Sequence, residues 1–93
     1  MKDLIERNYQ SIVKRGLITN KTTCDEFIDK IYEEVHELNM YANGGQTTFG
    51  IDELELADII LVCLNMAKHF NIDIEKVLNE KIKINEQRAH KNI

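Results

Sequence analysis

DELELADIILVCLNMAKHF (52–70) is the stretch on which the fold turns. At about 100° per residue, Glu55, Asp58, Asn65 and His69 fall, with Val62, within a sector of roughly 80°. Nearly all the rest of the circumference is apolar, broken only by Glu53 and Lys68. A helix that is apolar on most sides is a buried one, so this segment is expected at the centre of an all-α domain. A carboxylate carried on such a helix is expensive to bury ionised unless something pairs with it, and a metal ion is one such partner. Asn65 and His69 read instead as core or interface polar groups with local partners.

The flanking segments read as three further helices. One runs from about Lys2 to Arg15, with Leu4, Ile5, Ile12 and Val13 partly on one face and Gly16 as its C-terminal stop. The next opens at Thr22 or Thr23, where Thr23-Cys24-Asp25-Glu26 matches a capping box, and continues to about Tyr41 with an apolar stripe of Cys24, Phe27, Ile28, Ile31, Val35 and Leu38. The stretch from Asn43 to Gly50 has turn chemistry and no helical period, so it is the one substantial loop. After Asn71 and an Asp73 N-cap, the last helix extends to about His90, with Ile74, Val77, Leu78, Ile82 and Ile84 expected to face inward. Short connections imply antiparallel neighbours, hence an all-α antiparallel four-helix bundle in a single domain over 1–93. One chain of 93 residues supplies little cover for a helix apolar on most sides, so completion by oligomerisation is expected.

Composition narrows the function classes. The formal charge is −4, and no stretch has the cation density of a nucleic-acid groove, so duplex binding is not expected. Lysine and arginine do thicken toward the C-terminus while acids dominate the middle, which suits an anionic ligand held between the two, through metal on the acidic side. The longest apolar run, Ile59 to Leu64, is far short of the roughly 20 residues of a membrane span. Cys24 and Cys63 form no C-x-x-C pair, and Asp3, Glu6 and Arg7 interrupt the N-terminal apolar residues. The chain thus reads as cytoplasmic, with free thiols and no secretory leader.

The chemistry lies in two acidic pairs, Glu34-x-x-Glu37 and Glu55-x-x-Asp58. Three residues is about one helical turn, so each pair projects from one face, and two antiparallel helices would bring four carboxylates together. Mg²⁺ takes such hard oxygen ligands, usually with waters and substrate phosphates. Glu34 lies about 70° from the centre of its apolar stripe and Glu37 about 130°, so both can face a cleft against the next helix while Glu33 points further away. Plainer readings stand beside this one: EEVHEL (33–38) can be a solvated face, and Glu55 can complete a capping box with Asp52. Di-iron chemistry is set aside. Glu33-x-x-His36 supplies one E-x-x-H motif where a ferritin-like site needs two, and His69 and His90 follow Met66 and Gln87.

EEVHEL (33–38), ELAD (55–58) and then K-x-x-x-N-x-x-R at Lys81, Asn85 and Arg88 together resemble the MazG-like all-α nucleoside triphosphate pyrophosphohydrolases. The resemblance spans about Phe27 to Arg88. It implies a helical bundle that dimerises or tetramerises, with Glu34, Glu37, Glu55 and Asp58 as catalytic ligands of Mg²⁺, or of Mn²⁺ in its place. It further implies that Lys81 and Arg88 contact substrate phosphates with Asn85 as polar support, and that (d)NTP is hydrolysed at the α-phosphorus to (d)NMP and pyrophosphate. His36 departs from the small residue usual at its motif position. Tyr9, Tyr32, Tyr41 and Phe49 are candidates for contact with the base, though packing is the commoner role of each. The contrasting expectation is a non-catalytic all-α oligomeric interaction module that retains the bundle with its acids merely solvated.

Overall fold

The computed structural model describes residues 1–43 and 52–91, with side chains at 1–40 and 52–90. It contains four helices, α1 (Lys2–Lys14), α2 (Cys24–Asn43), α3 (Glu53–His69) and α4 (Ile74–Lys91), and no strand among the described residues. The expected loop lies, apart from Asn43, outside the described residues, as do the side chains of Tyr41 and Phe49. No helix among the described residues is long and apolar enough to cross a membrane. Cys24 and Cys63 are free and exposed.

The helix boundaries follow from local chemistry. α1 ends in a Schellman turn: Gly16 adopts φ 75°, its N–H donates to Val13 O, and the Leu17 N–H reaches back to Ile12 O. α2 begins with the full capping box, in which Thr23 N–H donates to Glu26 Oε1 and Glu26 N–H to Thr23 Oγ1, both at 3.2 Å. Asp52 caps α3 by accepting from the N–H groups of Leu54 and Glu55. α3 closes as α1 does, with Asn71 at φ 57° donating to Lys68 O and Ile72 donating to Ala67 O. Asp73 then caps α4 through the Lys76 N–H.

α3 is the central element, packed by α2 along one flank and α1 along another. The buried apolar side chains Ile18, Phe27, Leu64 and Ala67 lie where these elements meet. Phe27, His69 and Phe70 form a tilted and edge-on ring cluster with centroids 4.9–5.8 Å apart, and Tyr9 joins it from α1. His69 is the polar pin of this core. Its Nε2–H donates to Thr22 O at 2.9 Å, which leaves Nδ1 to accept from Tyr9 Oη at 3.0 Å. The reading of His69 as a core group holds, but its partners Tyr9 and Thr22 lie 60 and 47 residues away in the chain and are not local.

As expected of a single chain, α3 is not covered on most sides, since Leu54, Leu56 and Ile60 are 77%, 41% and 52% exposed. One expectation about burial is corrected. On α4 only Ile74 is half-buried, while Val77, Leu78, Ile82 and Ile84 remain 42–54% exposed instead of facing inward. The reason is geometric. α1 and α2 occupy two flanks of α3, and among the described residues α3 is the one helix that α4 packs against, with the Met1 amino group also pairing with its Glu75 at 3.4 Å. The radius of gyration, 16.0 Å, accordingly exceeds the about 12 Å of a compact chain of this length.

Candidate functional site

Phe27, Ile31, Glu34 and Leu38 recur at helical spacing on α2 and form the face it turns to the interior, so Glu34 is carried inward with the apolar residues. It is only 7% exposed. Its Oε1 pairs with Lys30 Nζ at 3.2 Å, one turn earlier, while its Oε2 is buried with no hydrogen-bond partner among the described residues. Glu55, half-buried at the first turn of α3, has a buried Oε2 in the same condition. Asp52 accepts from the N–H groups of Leu54 and Glu55, whereas Glu55 Oε2 has no hydrogen-bond partner among the described residues.

Glu34, Glu37 and Glu55 come together: one carboxylate oxygen from each lies within 4.8 Å of the others. Glu37 is the exposed member of the trio. Asp58 stands differently from its expected place on the buried surface of α3. It is exposed and outside that trio, although it lines a shared cavity with Glu34 and contributes to the field at Glu55. The side chain one turn along α3 emerges at the margin of the cleft because α3 is uncovered there.

Electrostatics mark the same spot. Burial and the neighbouring charges of Glu37, Asp58, Glu34 and Asp52 together hold the Glu55 carboxyl above the ordinary carboxylate range. Partial burial works against the Lys30 ammonium, yet its hydrogen bonds and charge pairing with Glu34 and Glu33 leave its pKa above the usual lysine value. One cation is therefore set against several crowded acids. Two orphaned, buried carboxylate oxygens on different helices, close to a third carboxylate, form a hard-oxygen donor set of the kind a divalent cation takes.

Beside the acids, α1, α2 and α3 enclose a cavity of about 420 Å³, within the range of small-ligand sites. Ile18, Phe27 and Leu61 give it an apolar wall, and Asn8 and Asn65 its amides. Arg15 and Lys30 add positive charge. Lys81, Asn85 and Arg88, by contrast, are exposed on α4 and are not among the residues lining this cavity, so one chain does not bring them to the acids. Tyr9 is committed to His69, and Tyr32 is 71% exposed. Lys30 and Asn8 had not been singled out. For Lys30 the signal lay in its position one turn before Glu34; for Asn8, nothing short of the α1–α3 contact marks it. No protein-family model, curated protein or solved structure matches this chain.

Proposed function

We propose that this protein is a Mg²⁺-dependent nucleoside triphosphate pyrophosphohydrolase, converting (d)NTP to (d)NMP and pyrophosphate. The observation that carries the reading is the pair of buried oxygens, Glu34 Oε2 and Glu55 Oε2, that have no hydrogen-bond partner among the described residues, on carboxylates grouped with Glu37, Glu34 also lining a ligand-sized cavity. Leaving two carboxylate oxygens buried and unpaired is costly, and a cation is the partner that removes the cost for both at once. Glu34, Glu37 and Glu55 would hold it, with Asp58 reaching the same centre from the next turn of α3. The bound cation would supply neutralisation of the triphosphate and acidification of a water.

The chain's own groups account for the remainder. Lys30 holds the Glu34 carboxylate in place, and a carboxylate of the cluster accepts the proton of the attacking water. Lys81 and Arg88, with Asn85, are the proposed phosphate contacts. Their position on α4, away from the cavity of their own chain, favours a homodimer or homotetramer in which a neighbouring copy supplies them. The open apolar faces of α3 and α4 are the proposed contact between copies.

Pyrophosphate release from a panel of NTPs and dNTPs with Mg²⁺ or Mn²⁺ tests the reading. Turnover that is lost in Glu37→Gln and in Asp58→Asn, with the helical circular dichroism retained, supports it. No turnover of any nucleotide together with no metal-dependent nucleotide binding would sink it and leave the non-catalytic module.

A further inference from the structure

Glu34 offers its two oxygens on unequal terms. The residue is only 7% exposed, and its Oε1 accepts from Lys30 Nζ at 3.2 Å. Its Oε2 is buried with no hydrogen-bond partner among the described residues. Of the three grouped carboxylates, those of Glu34, Glu37 and Glu55, Glu34 is the one with an oxygen held by a side-chain ammonium among the described residues.

The ammonium is itself anchored. Lys30 Nζ also reaches Glu33 Oε1 at 3.4 Å, so two acids a turn further along the same helix share it. An exposed pair such as Lys30–Glu33 is worth little alone, but Glu34 is shielded from water, and a partly buried pair is screened much less. Glu33 thus acts on the acid cluster through Lys30 while pointing away from it.

The choice of cation depends on that contact. Mg²⁺ demands a near-ideal octahedron, whereas Ca²⁺ accepts a larger and looser set of oxygens and commonly takes both from one carboxylate. Chelation by both Glu34 oxygens would set a divalent cation against the ammonium on Oε1, a like-charge contact. Coordination through Oε2 alone leaves the ammonium where it is.

We propose that Lys30 is a positioning residue that confines Glu34 to coordination through Oε2, and that it thereby raises the preference of this site for Mg²⁺ over Ca²⁺. The inference rests on the cation site of the proposed function and asks nothing of the nucleotide. Glu33 contributes by fixing Lys30, which gives the first acid of EEVHEL (33–38) a role without making it a ligand.

The test titrates the whole metal-free chain with MgCl₂ or CaCl₂, without nucleotide, by isothermal calorimetry, and reads the ratio of the two dissociation constants. Removing a positive charge strengthens the binding of both cations, so the ratio and not either affinity is the readout. Lys30→Met is expected to move the ratio toward Ca²⁺ by about tenfold, and Glu33→Gln in the same direction by less. Lys30→Arg, which keeps a charged donor for Oε1, should stay within about threefold of the wild type. Lys30→Gln, an uncharged donor, is the companion variant should Lys30→Met not fold. A ratio that moves by less than about threefold in the folded uncharged variant, or moves toward Mg²⁺, overturns the proposal. So does a wild type that binds neither cation. Turnover of NTPs with an unmoved ratio overturns the role of Lys30 alone, whereas a moved ratio without turnover of any nucleotide leaves that role standing and removes the hydrolase.

Discussion

Glu55 is where the site and the stability of the protein meet. Because the folded state holds its proton to higher pH than the unfolded chain does, the native protein binds more protons in the window just above the ordinary carboxylate value. Stability of the metal-free protein therefore falls as pH rises through that window and levels off above the raised pKa. Urea melts across the window are expected to show that decline in the wild type and a flatter profile in Glu55→Gln. The same variant should melt higher than wild type without metal near neutral pH, since it removes the charge that burial and four acids disfavour. It should also lose the rise in melting temperature that Mg²⁺ or Mn²⁺ gives the wild type. A site at about 100-fold excess over its Kd stabilises by about 2.7 kcal/mol, an effect readily seen by scanning fluorimetry with an extrinsic dye. A metal-induced shift retained in Glu55→Gln would place the cation elsewhere.

At the scale of the element, α1 and α3 end in the same turn, one with glycine and the other with asparagine in the left-handed position. A Cβ at Gly16 would meet nothing within 4 Å, so Gly16→Ala is expected to cost the backbone term alone, about 1 kcal/mol. The converse change, Asn71→Gly, should be neutral or stabilising by less than about 1 kcal/mol. Chemical denaturation of the two variants checks both. Phe27 joins α2 to the His69 ring cluster at 4% exposure, and Phe27→Ala should cost about 3–5 kcal/mol, a large part of a marginal stability of about 5–15 kcal/mol. Loss of the cooperative thermal transition is the expected readout.

On the scale of the molecule, the apolar faces of α3 and α4 point away from the packed part of the chain and from each other's cover. Ile60, Leu78 and Ile82 are 52%, 42% and 54% exposed in the single chain. Charged substitutions there should leave the α1–α3 core intact. If a second copy covers these faces, Ile60→Glu and Ile82→Glu convert an oligomer to a monomer in analytical ultracentrifugation while the His69 core and its near-ultraviolet dichroism persist. A wild-type protein that is monomeric at every concentration would exclude the shared site proposed for Lys81, Asn85 and Arg88.

Local signals in the chain determine the helices themselves. Thr23 and Glu26, Asp52, Asp73, Gly16 and Asn71 each satisfy or terminate a helix end through groups within a few residues, so the sequence alone reads nearly every boundary. The acidic pairs are equally legible, because one-turn spacing places two carboxylates on a face whatever lies opposite. For the α2 pair the angular offsets already set Glu34 beside the core and Glu37 outward, as the structure has them, but for Glu55 and Asp58 burial was not legible. Helical periodicity says which side chains share a face, but only packing says which face is covered: α2 turns Glu34 inward with Phe27 and Ile31, whereas Asp58 emerges at an open flank of α3. The same holds for Asn8, His69 and α4. The Asn8–Asn65 and Tyr9–His69 bonds join residues 57 and 60 apart in the chain, and the exposure of α4 follows from the absence of a facing helix, neither of which any local pattern encodes.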